Sequence, residues 1–133
     1  MSYFITIKTE LQNHISNLNS IRIDSKNSKL ENHLNQTVII YNDLSYESPE
    51  KLKRFIEYLS QEARYFGWSF PENAIEEDCE KSFWNMENQI KKLIGGMTVN
   101  ERLYFFGFLE EYEKLPSNHM SARNAILEKL FIY

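Results

Sequence analysis

An all-α fold follows from three features of this sequence: strong helix-start signals, apolar residues spaced three and four apart, and a scarcity of breakers. Only four Gly and three Pro occur in 133 residues, few enough to be read individually. The pattern predicts an irregular bundle of five or six helices, with residues 1–133 forming a single helical domain. A short strand near residues 37–41 is the one alternative element. A chain of this length can bury roughly two-thirds of the surface its unfolded form exposes, so its core requires neither disulfide nor metal. Hydrophobic residues at 42% and charged residues at 26% match that kind of domain.

The clearest helix begins at Pro49. Ser48 is a favourable N-cap, Pro49 suits the first helical position, and Glu50 complements the helix dipole. Leu52, Phe55, Ile56, Leu59, Ala63 and Phe66 recur on one face, and Gly67 stops the run. A second helix follows Pro71, with Asn73 as cap and Glu76 three residues on, a variant of the capping box. Cys79, Phe83, Met86, Ile90 and Leu93 line its apolar face as far as Gly95-Gly96. A third helix is announced by the capping box Thr98-Val99-Asn100-Glu101. It is expected to run through the apolar stretch Leu103–Leu109 as a covered, central helix ending by Pro116, with Gly107 permitting close packing. A last helix, Ser121–Phe131, is expected to dock Ile126, Leu127 and Leu130 against it.

The first 46 residues carry mixed signals. Phe4, Ile7, Leu11, Ile15 and Leu18 are helically spaced, although Tyr3, Ile5 and Ile7 alternate like a strand. Residues 20–28 read as a polar loop interrupted by Ile21 and Ile23. Leu30, Leu34, Val38 and Tyr41 favour a helix, whereas β-branched residues between Thr37 and Tyr41 favour a strand. Helix throughout is the better fit.

Charge narrows the function classes. The net charge is −4. Residues 71–133 carry the whole acidic excess, because acids and bases balance in residues 1–70. An acidic surface disfavours nucleic acid, whose phosphates require clustered Lys and Arg. It suits a basic protein partner. Neither a secretory leader nor an apolar run of membrane-spanning length is found, so no membrane association and a cytoplasmic location are expected.

Catalytic and metal signatures are absent from the sequence, and no cofactor is expected. His14, His33 and His119 lack partners at metal-ligand spacing. His14 and His33 are assigned to the polar edges of helices and His119 to a capping loop. Cys79 is read as a small buried hydrophobe with a raised pKa. The most informative feature is the acidic stretch Glu72, Glu76, Glu77, Asp78 and Glu80, continued by Glu110, Glu111 and Glu113 in the following segment. Acids early in a helix offset its dipole, but acids late in a helix work against it. That points to an acidic binding face. Trp84, Trp68, Tyr46, Tyr65 and Tyr112 lie off the main apolar faces or near helix ends, and supply candidate aromatic anchors. Glu76, Glu77, Glu80, Trp84, Glu110 and Glu113 are therefore the candidate partner-binding residues.

The segment Met97-Thr98-Val99-Asn100-Glu101-Arg102-Leu103-Tyr104, continuing to Gly107-Phe108-Leu109-Glu110-Glu111-Tyr112, resembles a helical segment of small bacterial proteins, some of them associated with toxin systems. In those proteins a following helix is similar to Ala125-Ile126-Leu127-Glu128-Lys129-Leu130. Size, acidity and aromatic content also resemble immunity proteins of contact-dependent growth inhibition and related polymorphic toxin systems. The resemblance implies a cytoplasmic protein that neutralises a toxin, often a nuclease with a basic cleft, by occupying its surface. It implies no particular contact residues. The alternatives are another protein-interaction module, such as an adaptor or regulatory subunit, and, behind both, a small enzyme built on the histidines or Cys79.

Overall fold

The computed structural model describes residues 2–23 and 26–131. Within them the chain forms seven helices and no strand: α1 (Tyr3–Arg22), α2 (Ser28–Asp43), α3 (Pro49–Trp68), α4 (Ala74–Gly95), α5 (Val99–Phe105), α6 (Leu109–Lys114) and α7 (Met120–Lys129). α1 packs most extensively on α4 and then on α2, while α2 also touches α3 and α4. The shorter α5 and α7 dock on α3.

Most helix starts are fixed by side chains. Ser2, Asn27, Ser48, Asn73 and Thr98 all accept hydrogen bonds from backbone N–H groups of the first turn. Each such cap is worth on the order of 1 kcal/mol. The capping box predicted at Thr98 forms in full, with Glu101 N–H donating to Thr98 Oγ1 and Thr98 N–H donating to Glu101 Oε1, both at 3.1 Å.

One contiguous core spans the helices. Ile7, Leu11 and Leu18 of α1, Leu30 and Leu34 of α2, Phe55, Ile56 and Leu59 of α3, and Phe83, Ile90 and Ile94 of α4 are buried together. Burying a side chain of this size contributes about 1.5–3 kcal/mol.

Residues 37–41 belong to α2, as the favoured helix reading has it, and the alternative of a strand falls; three other expectations are corrected. The β-branched Thr37 is accommodated because its hydroxyl donates to the His33 carbonyl one turn back, at 2.8 Å. The loop expected from residue 20 begins later, since α1 continues to Arg22 with Ile21 half-buried; Asp24 and Ser25 lie outside the described residues. The helix expected through Leu103–Leu109 breaks at Gly107, whose φ is +76°. Phe108 N–H donates to the Leu103 carbonyl at 2.8 Å and Gly107 N–H to the Tyr104 carbonyl at 3.2 Å, the paired bonds of a Schellman ending. Leu103 and Phe108 are both buried, which supplies its usual apolar accompaniment. Finally, α7 packs chiefly on α3. Its Ile126 and Leu127, with Leu130 just beyond its end, are buried as expected.

Candidate functional site

The six residues selected for an acidic docking face do different jobs. Glu76 is 8% exposed and is committed inside the molecule. Its Oε2 accepts from Asn27 Nδ2 at 2.9 Å and from Asn73 Nδ2 at 3.1 Å. Its Oε1 accepts from Lys29 Nζ at 3.0 Å and from Glu72 N–H at 3.2 Å. Asn27 and Asn73 are the N-caps of α2 and α4, so a single carboxylate ties two helix starts together. Donation from Asn27, then from Lys29 and the Glu72 backbone, lowers its pKa to about 2. This corrects the expectation for Glu76: it stabilises the fold and is not free to meet a partner.

Trp84 is half-buried against Phe83 and Phe66, with ring centroids 5.2 and 6.4 Å away. Its Nε1–H donates to Glu80 Oε1 at 3.0 Å, so Trp84 and Glu80 occupy each other. Glu77 and Glu110 remain exposed, in ion pairs with Lys81 and Lys114 one turn on. Because α6 starts at Leu109, Glu110 and Glu111 stand in its first turn, where they suit the helix dipole, and not late in a helix as expected. Glu110 and Glu113 border a cleft beside Tyr104 and Gly107, while Glu76 and Glu80 border another beside Phe70. The aromatic expectation divides likewise. Tyr46, Tyr65 and Trp68 are exposed, whereas Trp84 and Tyr112 are half-buried.

Among the described residues the most exposed aromatics lie at the end of α3 and in the connection that follows it. Trp68 is 88% and Phe70 87% exposed, with Tyr65 partly exposed one turn earlier. Glu72, Glu77 and Asp78 follow them and are exposed too. Arg64 and Lys129 share a cleft with Trp68. The sequence pattern does not single out Phe70, although its position between Ser69 and Pro71, past the end of the helical period, leaves it no apolar face to join.

A second constellation overturns the expectation for two histidines. His14 and His33 do not sit on polar edges; they are 1% and 2% exposed, and their Nε2 atoms face each other at 2.7 Å. His14 Nδ1 lies 2.7 Å from Ser82 Oγ, which also accepts from Asn17 Nδ2 at 3.3 Å. His33 Nδ1 points at Glu62 Oε1 from 3.6 Å and has no hydrogen-bond partner. The Glu62 carboxylate orders the protons: facing it, His33 Nδ1 keeps its hydrogen, so His33 Nε2 accepts from His14 Nε2–H and His14 Nδ1 accepts from the Ser82 hydroxyl. The chain links α1, α2, α3 and α4 through one polar thread.

Its inner surroundings are aromatic. The His33 ring stacks on Tyr58 and meets Phe66 and Phe83 edge-on. Tyr58 hydroxyl is hydrogen-bonded to Thr37 Oγ1 at 2.7 Å, and burial pushes its pKa up. Burial, reinforced by the neighbouring His33, lowers the His14 pKa to about 3. The clefts beside Phe70, Trp68 and Tyr104 are lined by neither ring.

Cys79 is buried as expected, and burial raises its thiol pKa to about 12. Among the described residues no three His, Cys, Asp or Glu side chains converge to hold a metal ion, and no helix is long and apolar enough to cross a membrane. His119 occupies the N-cap position of α7 without a side-chain capping bond. No protein-family model, curated protein or solved structure matches this chain.

Proposed function

We propose that this chain works by binding another protein through the α3–α4 corner, and that its partner is a basic toxin domain which it neutralises by occlusion. The near-complete exposure of Trp68 and Phe70 carries this reading. Single exposed apolar residues are ordinary, but two large aromatics two residues apart, both almost fully exposed, contribute little to the core of the isolated fold. Trp is the residue type most enriched among binding hot spots.

The exposed carboxylates of Glu72, Glu77 and Asp78 give the corner a negative rim that suits a cationic surface. Glu77 is held only by an exposed pair with Lys81, which a partner's cation can displace. The face is thus shifted from the one expected: Glu76 and Trp84 support it from beneath, and Trp68 and Phe70 present it. Glu110 and Glu113 border a separate cleft and are not needed for this contact. Burial of both histidines and the raised pKa of the Cys79 thiol, which borders the cleft beside Phe70 but stays protonated, favour binding over catalysis.

The test compares the wild-type protein with Trp68→Ala/Phe70→Ala and with Glu77→Lys/Asp78→Lys. Each is used to capture one-to-one partners from the native host and to protect cells expressing the captured toxin. The aromatic double variant is expected to lose at least about 30-fold in affinity and to abolish protection. The charge-reversal variant is expected chiefly to slow association. Unchanged affinity in the aromatic variant rejects the surface; a captured partner that is not toxic rejects the immunity function.

A further inference from the structure

We infer that the His14–His33 contact is an acid-sensitive latch, which closes α1 onto α2 at neutral pH and opens as the surroundings acidify. The geometry sets the rule. Two facing nitrogens 2.7 Å apart can share one hydrogen, since one must donate and the other accept. Two N–H groups cannot face each other at that separation. Two imidazolium charges so close on two buried rings would also repel. The closed pair therefore cannot take up both of the protons that its two rings accept in the unfolded chain.

The groups facing the pair sharpen this limit. From α1 and α4 come the neutral Asn17 and Ser82, and from α2 the neutral Thr37. α3 contributes Tyr58 and the one carboxylate, Glu62, whose side chain is 12% exposed. α4 also supplies Cys79, a thiol that burial keeps protonated. Glu62 faces His33 and not His14, so only one ring of the pair has an anion to meet a proton. His14 has Ser82 alone, consistent with its strongly lowered pKa.

A metal ion is not the natural occupant of the facing nitrogens. Two ligands at ordinary tetrahedral metal–nitrogen lengths stand about 3.3 Å apart or more. The pair is closer than that, and the hydrogen-bond chain already satisfies three of its four ring nitrogens.

Opening is directional. His33 packs edge-on to Phe66 with centroids 4.9 Å apart, and Phe66 stands two residues before Trp68. Separating the rings shifts one of the two rings that meet Phe66 at 4.9 Å, the other being Phe83, and so loosens the packing under the last turn of α3. Insofar as the corner is the docking face proposed above, acid then releases the partner. The latch itself does not depend on that reading.

The sign follows from linkage. A histidine whose folded pKa is depressed stabilises the fold above its unfolded value of 6.5, and loses that contribution as pH falls toward about 3. Between about pH 7.5 and about pH 5, one such group lowers the folding equilibrium constant by about 30-fold. The experiment is urea unfolding of the partner-free protein at those two pH values, for the wild type and for His14→Gln. Gln keeps a donor toward His33 but does not titrate. The wild type is expected to lose about 30-fold more than the variant; equal losses would overturn the latch. Ring 15N NMR of the folded wild type provides a second measurement that requires no variant. His14 is expected to stay neutral, with its proton on Nε2, down to about pH 5. Protonation of His14 with a midpoint near its unfolded value, the fold remaining intact, would also overturn it.

Discussion

Replacing Gly107 by alanine tests how the second half of the chain is held to the first. Gly107 ends α5 at φ +76°, in the left-handed region. An alanine there costs about 1–2 kcal/mol in backbone strain alone. A Cβ at this position would also lie 2.6 Å from the Pro49 carbonyl oxygen and 3.0 Å from its carbon. Those atoms are backbone at the first turn of α3, so no flexible side chain can swing away. Forcing them apart adds about 1–2 kcal/mol, the usual scale for overpacking a close contact. Gly107→Ala should therefore lose about 2–4 kcal/mol, a fall in Tm of about 8–16 °C for a domain of this size. Gly67 is the internal control. It lies in the last turn of α3, where an added Cβ would meet nothing within 4 Å, and Gly67→Ala should raise stability by up to about 1 kcal/mol. Equilibrium urea unfolding with an unchanged m-value reads both. If Gly107→Ala fell within about 0.5 kcal/mol of wild type, the Schellman ending against Pro49 would not be what orients α6.

Other expectations follow from the buried and capping groups. Cys79 in the folded protein should react with iodoacetamide at about pH 8 about 1,000-fold more slowly than in the unfolded chain, because its thiolate is scarce as well as hidden; rapid native-state labelling would contradict its burial. Glu76→Gln should be less stable than wild type at neutral pH. The two stability curves should converge as pH falls from the ordinary carboxylate value of 4.5 toward about 2, since a depressed folded pKa confers stability only above that window. Parallel curves in acid would mean that Glu76 is not the charge linking the caps. Thr98→Ala should cost about 1 kcal/mol through loss of the capping box, measurable as a shift in urea midpoint.

Local signals were legible wherever a cap and a period coincided. Ser48-Pro49-Glu50 and the apolar spacing place α3 within two residues of its observed end. Asn73 and Thr98 locate the starts of α4 and α5. The break at Gly107 was harder to see, because an apolar run reads as a continuous helix when its glycine is taken for a packing device. Apolar residues on both sides, Leu103 and Phe108, were the available sign of a Schellman ending. The site was much less legible. Even so, both histidines lie on apolar stripes: His14 stands between Leu11 and Leu18 on the buried face of α1, and His33 between Leu30 and Thr37 on that of α2. A helical projection could have marked them as buried. Their pairing depends on how α1 crosses α2, which no local spacing encodes. Glu76 misled for a related reason, because its partners Asn27 and Lys29 are distant in sequence and only packing reveals that its charge is already used.

Apolar residues of similar volume at positions 14 and 33 would remove the need to satisfy four buried ring nitrogens, and such replacements are commonly neutral or stabilising. The hydrogen bonds of the histidines do something apolar packing cannot, because they are directional: Ser82 ties α4 to α1 and the facing nitrogens tie α1 to α2, while the Glu62 carboxylate of α3 faces His33 from 3.6 Å without a hydrogen bond. The same directionality that selects one arrangement makes that arrangement depend on proton number. A leucine pair would hold the helices equally well at every pH, whereas the histidine pair holds them only while one facing nitrogen stays bare. Specific register and acid sensitivity are thus two results of a single 2.7 Å contact.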